Sequence, residues 1–189
     1  AAAVPLVFLT AWHMLVTRAQ VRAGDDVLVI GAGSGVGSAA VQIARLRGAR
    51  VIATAGSAGK LEQARELGAH DTIDHSQEDV ALRARALTGK KGVDVVVEHV
   101  GGRVFEAALN SLAKNGRLVT CGATTGAKVE LDLNLLFGRH LSLLGSWMGR
   151  RSDLTAALEH VASGALKPVV DSVMPLADVE LRKVTLRNR

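Results

Sequence analysis

The sequence predicts an α/β domain built on a doubly wound, six-stranded parallel sheet with helices on both faces. Three observations carry that expectation. From position 27 onward, short β-branched runs alternate with stretches of helical periodicity, with Gly or Ser at the joints, which is the pattern of repeated βαβ units. Apolar residues make up 48% of the chain but aromatics only 3%, so small side chains must pack helices onto a sheet that is buried on both faces. A length of 189 residues supplies one full hydrophobic core and leaves little for a second.

Taken in order, strands are expected at 27–30, 50–54, 72–73, 93–98, 117–121 and 141–146, and helices at 36–47, 58–67, 78–87 and 103–113. A helix over about 5–20 precedes the first strand and lies outside the sheet core. The tail reads as a helix from Asp153 to Ser163, followed by extended pieces near 169–174 and 183–186 that have no evident partner. An isolated strand is marginal in water, so these pieces suggest a return to another domain.

Composition excludes several classes. The net charge of +5 comes from Arg and Lys scattered among acids, as at Glu62, Arg65, Glu66, Arg83 and Arg85, which describes solvated helix faces. With few aromatic platforms for bases, no nucleic-acid partner is expected. The single cysteine, Cys121, cannot form an internal disulfide and has no metal-ligand spacing to the histidines, which fits a reducing cytoplasm and no metal site in this chain. The apolar opening over 1–16 has no basic leader and is interrupted by Thr10 and His13, so it reads as a buried helix. No stretch reaches the ~18 apolar residues of a membrane span.

The strongest motif is Val27-Leu-Val-Ile-Gly31-Ala-Gly33-Ser-Gly35-Val-Gly37, a buried strand that runs through glycines into a helix. Amides at a helix N-terminus carry partial positive charge and need acceptors, so a pyrophosphate placed there gains hydrogen bonds and dipole attraction. Side chains on this turn would hold the phosphate away. In a βαβ setting the motif points to a dinucleotide, in a Rossmann-type fold. A rival reading as a methyltransferase uses the same glycines for S-adenosylmethionine, but wants an acid at the end of the second strand, where Thr54-Ala55-Gly56-Ser57 has none.

The residues resemble the medium-chain dehydrogenase/reductase superfamily, in particular its quinone-oxidoreductase-like and zinc-type alcohol dehydrogenase-like members. The resemblance rests on Phe8-Leu-Thr10-Ala-Trp12, the run 31–44, Lys60-Leu-Glu62 with Leu67-Gly-Ala69, the run 93–101, Asn115-Gly-Arg117-Leu-Val-Thr-Cys121-Gly122, and Leu143-Leu-Gly145-Ser146. The family's G-x-G-x-x-G frame falls on Ala32, Ser34 and Gly37, so two of its three glycines are replaced, while Gly33 and Gly35 keep the turn open.

The resemblance implies a set of cofactor contacts. Gly33, Ser34, Gly35, Val36 and Gly37 would hold the pyrophosphate. Ala55 stands where NAD-using relatives carry an acid for the ribose; with no acid there, Gly56, Ser57 and Lys60 would receive a 2′-phosphate, which favours NADP(H) over NAD(H). His75 would border the adenosine. Thr10, His99, Val100, Cys121, Gly122, Ala123, Ser146, Trp147 and Met148 would line the nicotinamide end. For Ser57 the bland reading is an ordinary helix N-cap, and for Lys60 a solvated surface charge.

Full-length relatives begin with a β-rich domain of the chaperonin-10 type that supplies the substrate pocket and, in zinc members, the metal ligands. Met174-Pro-Leu-Ala-Asp-Val179 and Arg182-Lys-Val-Thr-Leu186 look like the return to such a domain. The expected organisation is a linking helix over 1–20, a dinucleotide-binding domain over 21–174 and a remnant of that return over 175–189. The expected function is hydride transfer between NADPH and a carbonyl, quinone, activated alkene or alcohol in the complete enzyme. No residue of this chain is expected to be catalytic, and zinc is expected only if the other domain carries its ligands. A stand-alone NADP(H)-binding regulatory module is the rival of another class. A short-chain dehydrogenase is excluded because its Tyr-x-x-x-Lys pair needs a tyrosine, and the chain has none. A homodimer is expected through the strand over 141–146, an uncharged edge whose leucines would face outward together.

Overall fold

A computed structural model describes residues 3–173, 175 and 177. Its sheet comprises β1 (Asp26–Val29), β2 (Arg50–Ala55), β3 (Asp71–Asp74), β4 (Val93–Glu98), β5 (Leu112–Thr120) and β6 (Ser142–Gly145), all parallel, in the order β3-β2-β1-β4-β5-β6. The chain starts at the centre, winds out to β3, then crosses back to β4. The reversal leaves a crevice beyond the carboxyl ends of β1 and β4, where ligands of open α/β sheets bind.

Alternate strand residues feed two separate cores. Val27, Val29, Val51, Ala53, Val95, Val97 and Val119 face one apolar cluster, covered by α1 (Pro5–Trp12), α2 (Gly35–Leu46), α3 (Ala58–Glu66) and α7 (Arg151–Ala162). Leu28, Ile30, Ile52, Ile73, Val96 and Leu118 face the other, covered by α4 (Val80–Leu87), α5 (Val104–Asn110) and α6 (Leu133–Gly138). Each fully buried Leu, Ile or Val contributes about 1.5–3 kcal/mol.

The opening segment is buried, as its apolar run leads one to expect, but it packs into the first core and does not lie outside it. Phe8, Met14 and Leu15 are fully buried in the first cluster, beside α2. It is also not one α-helix, because after Trp12 the chain widens into a π-helical turn, His13–Arg18. Asp153 on α7 clamps that turn: its carboxylate lies 2.7 Å from His13 Nδ1, and accepts from the Thr17 hydroxyl at 2.8 Å and the Arg150 amide at 2.9 Å. Burial pushes this carboxyl upward, but its hydrogen bonds and His13 outweigh burial and hold it below the ordinary range. Trp12 stacks on His160 of α7 with ring centroids 5.4 Å apart.

Three further expectations are corrected. The helix over 103–113 stops at Asn110, and Leu112 and Ala113 open β5 instead, five residues before the expected strand start at 117. Ser111 ends the helix by bonding back to the Ala107 carbonyl, while its own carbonyl receives the Val93 amide and hooks the chain onto β4. α6 lies in a stretch with no helix assigned from sequence; it spans only six residues and is preceded by the N-cap Asp132, whose carboxylate accepts the Asn134 amide. Residues 169–173 form no strand, and Val173 is 91% exposed. The piece over 183–186 and Met174 lie outside the described residues.

The leucines around β6 do not face outward together. Leu141 is buried in the second core and Leu144 packs against the first, because successive strand residues point to opposite, helix-covered faces. Only Leu143 is exposed.

Candidate functional site

The glycine-rich turn divides its tasks among named residues. Gly31 takes a left-handed conformation, φ 64°, and turns the chain off β1, where its amide and that of Ala32 are tied to Thr54 at 3.2 and 2.8 Å. Ser34 is the N-cap of α2, with its hydroxyl accepting the Gly37 amide at 3.0 Å. Gly37 permits close approach of helix to turn: a Cβ there would collide with the Gly31 carbonyl oxygen and lie 2.8 Å from Ala32 Cα. The tight turn thus falls on Gly31, one residue before the first position of the family frame, which explains how Ala32 and Ser34 can stand where that frame has glycines. Among the described residues, nothing accepts from the amides of Gly33, Gly35 and Val36. Three donors at the positive end of a twelve-residue helix therefore lack partners.

Gly33 and Gly35 do more than keep the turn open. A Cβ on Gly33 would lie 2.8 Å from Lys60 Cδ, so the lysine stem lies across the turn; a Cβ on Gly35 would lie 2.8 Å from Val7 Cγ1, so α1 abuts it. Lys60 takes part in no ion pair among the described residues. Ser57 does occupy the N-cap of α3, yet its hydroxyl makes no capping bond. Gly56 packs under His75, whose Nε2 lies 2.9 Å from the Cβ position of that glycine.

Gly33, Ser34, Ala55, Gly56, Lys60 and His75 line a cleft of about 390 Å³, closed by His99 and Val100. A second, mainly apolar cavity of about 480 Å³ adjoins it, bounded by Ile30, Val80, Val104 and Ala107 and sharing His75 and Val100. Parallel register also brings Asp74 of β3 alongside Ala55, an acid that sequence reasoning missed because the pairing is non-local. Its carboxylate turns back onto Ser76, accepting from the hydroxyl and the amide, and these bonds hold it below the ordinary range.

At the end of β4, His99 Nε2 lies 3.2 Å from the Ser34 hydroxyl. Burial lowers the His99 pKa, against an opposing pull from Glu98, so the ring is neutral at pH 7 and can accept the Ser34 proton. Glu98 itself is 1% exposed and accepts from the amides of Val100 and Gly101 at 2.5 and 2.6 Å and from the Thr120 hydroxyl at 2.9 Å. After β5, the half-buried Cys121 thiol is pushed up to about 11 by burial and by Glu98, which makes it unreactive at neutral pH. Gly122 lies against the His99 carbonyl, 2.9 Å from its Cβ position, and the exposed Ala123 follows.

The remaining predicted residues lie along the same carboxyl edge but outside the two cavities. Ser146 donates its amide to the Thr120 carbonyl, and its hydroxyl oxygen is buried without a partner among the described residues. Trp147 is 84% exposed, and Met148 adopts a left-handed conformation, φ 54°. Thr10 is buried on α1, which bridges the site from Val7 at Gly35 to Leu9 at Gly149. With strands spaced about 4.8 Å apart, the edge from β2 to β5 spans roughly 14 Å. Among the described residues, no three His, Cys, Asp or Glu side chains gather where they could hold a metal ion, and no helix is long and apolar enough to cross a membrane.

A family model described as zinc-binding dehydrogenase matches residues 35–163. Quinone oxidoreductase-like protein 2 of Bos taurus is 34% identical over 189 residues, covering 95% of this chain and 54% of its own length. A solved NAD-dependent alcohol dehydrogenase is 49% identical with a TM-score of 0.92, over 100% of this chain and 55% of its own. The 2-octenoyl-CoA carboxylase reductase CinF, solved with NADP and 2-octenoyl-CoA, is 30% identical with a TM-score of 0.89, over 100% of this chain and 47% of its own. The chain thus spans about half the length of the relatives it matches.

Proposed function

The chain belongs to the zinc-binding dehydrogenase family, and from that premise we infer that it is the nucleotide-binding half of an oxidoreductase that moves hydride between NADPH and a carbonyl, quinone, activated alkene or alcohol. The observation that carries this reading is the trio of amides at Gly33, Gly35 and Val36, unpartnered among the described residues, on a turn whose Gly33 and Ser34 line a cleft adjoining an apolar cavity. The amides fit a diphosphate, and the apolar cavity beside His75 fits a purine. CinF was solved with NADP, and the alcohol dehydrogenase is NAD-dependent, so relatives use both cofactors. The choice of NADP(H) here rests on Ala55, Ser57 and Lys60.

In this reading the chain binds and orients the cofactor. Ser34 and Gly37 set the path of the turn, Ser57 and Lys60 hold the 2′-phosphate, and His75 borders the adenosine. His99, Val100, the segment 121–123, the segment 146–148 and Thr10 border the nicotinamide, which supplies the hydride donor or acceptor. Fixing that ring beside the substrate is a positioning effect. Substrate contacts, and zinc where the whole protein uses it, are assigned to residues beyond this chain. A reducing cytoplasm is the proposed setting, supported by a single thiol.

The 189-residue chain is accordingly expected to bind NADPH without turning over simple quinones or aldehydes. NADPH fluorescence follows binding and oxidation in one assay. Oxidation above a buffer control that disappears in Gly35→Asp would overturn the assignment of substrate chemistry elsewhere.

The proposed assembly is a homodimer through β6, giving one continuous sheet. Among the described residues β6 pairs only with β5. The alternation of a parallel ladder directs the Leu143 amide and carbonyl and the Gly145 amide to the free edge, while the Gly145 carbonyl is taken by Arg18 Nε at 2.8 Å. Next to it, α6 exposes Leu133 at 62% and Phe137 at 66%, one turn apart. Leu143→Pro removes a donor from the free edge only, so light scattering should show a dimer for wild type and a folded monomer for the variant. A monomeric wild type at micromolar concentration, or a variant that still dimerises, rules this interface out.

A further inference from the structure

Among the described residues, Glu98 stands out as a buried carboxylate with no cationic partner. All three of its hydrogen-bond donors are neutral: two amides of the following loop and the hydroxyl of Thr120 on the neighbouring strand. No ion pair to it occurs among the described residues. Such donors stabilise a negative charge without cancelling its field, and burial keeps water from screening it. Its field reaches the residues after β4 and β5: it opposes the larger lowering of the His99 pKa by burial, and adds to the raising of the Cys121 pKa by burial.

We propose that Glu98 selects the redox state of the bound cofactor, holding the oxidised, cationic nicotinamide more tightly than the reduced, neutral one. This rests on the reading that the nicotinamide lies at the ends of β4 and β5. The two forms differ by one positive charge on the ring and are otherwise nearly the same shape, so a nearby fixed anion discriminates between them by charge. At about 10 Å and an effective dielectric near 20, two unit charges change a binding constant by about tenfold. The same carboxylate also positions the loop at Val100 and Gly101 by gathering their amides, but a positioning role alone gives no preference between oxidised and reduced rings.

The test is the ratio of dissociation constants for NADP⁺ and NADPH, measured for the wild-type chain, Glu98→Gln and Glu98→Asp, with 2′-phospho-ADP-ribose as a ligand that lacks the ring. Glutamine keeps the contacts: its Oε1 accepts both amides, and its Nε2 donates to Thr120, whose own proton can pass to the Gly122 carbonyl 3.2 Å away. Glu98→Gln is therefore expected to fold, to raise the ratio about tenfold by weakening NADP⁺, and to bind the ring-less ligand as wild type does. Glu98→Asp keeps the charge and should hold the ratio even if overall affinity falls. A ratio unmoved in folded Glu98→Gln, or moved as far in Glu98→Asp, overturns the proposal. Wild type that binds none of the three ligands overturns the underlying reading and this proposal with it.

Discussion

Gly37→Ala is expected to cost about 1–3 kcal/mol of folding stability and to reduce cofactor affinity at least tenfold. The added methyl meets three backbone atoms, namely the Gly31 oxygen, Ala32 Cα at 2.8 Å and the Gly31 carbonyl carbon at 3.0 Å. Backbone cannot rotate away as a side chain can, so α2 must shift off the turn. That shift carries the Gly35 and Val36 amides with it, linking the stability loss to a binding loss. For a domain of this size the melting temperature should fall by roughly 3–10 °C. Gly138→Ala is the matched control, since a Cβ there meets nothing within 4 Å. A Gly37→Ala variant that melts with wild type and with Gly138→Ala would show that the close approach contributes no stability.

NADPH is expected to bind ten- to a hundredfold more tightly than NADH, the effect of one charge-assisted phosphate contact worth roughly 1.5–3 kcal/mol. The expectation rests on the Ser57 hydroxyl, which makes no capping bond, on Lys60, which takes part in no ion pair among the described residues, and on the first-turn amides of α3. Lys60→Ala should lose most of the preference through NADPH alone, leaving NADH nearly unaffected. Ala55→Asp should move preference toward NADH by placing a charge against the phosphate. Asp74 works in the opposite sense to Lys60, since it pairs in register with Ala55, but its carboxylate is engaged by Ser76. Equal or tighter NADH binding by wild type sinks the assignment of Ser57 and Lys60.

Much of this architecture can be read from local patterns. Alternating β-branched and helical runs specify βαβ units, and their number and order lead to the six-stranded sheet. The glycine-rich turn is recognisable because strand, loop and helix are contiguous. The division of labour within it is not, since spacing alone cannot say that Gly31 takes the left-handed turn while Ala32 and Ser34 fill the family's glycine positions. Leu112 and Ala113 read as the last turn of a helix because a short apolar run suits helix or strand alike; the bond from the Val93 amide to Ser111, eighteen residues away, decides it. Register hides Asp74 in the same way, and the Thr120 hydroxyl that meets Glu98 comes from the next strand. The outward leucines of β6 fail for a different reason. The sequence shows an uncharged run but not which helix covers each face, and α6 and the first core cover two of the three.

Calorimetric titration of the 189-residue chain with NADPH tests the central claim most directly. The account predicts saturable binding at one site, tighter than for NADH, and abolished in folded Gly35→Asp, which sets a carboxylate against the phosphate and whose Cβ, 2.8 Å from Val7 Cγ1, requires that side chain to give way. A folded wild-type chain that gives no heat of binding, or a Gly35→Asp variant that binds undiminished, would contradict it.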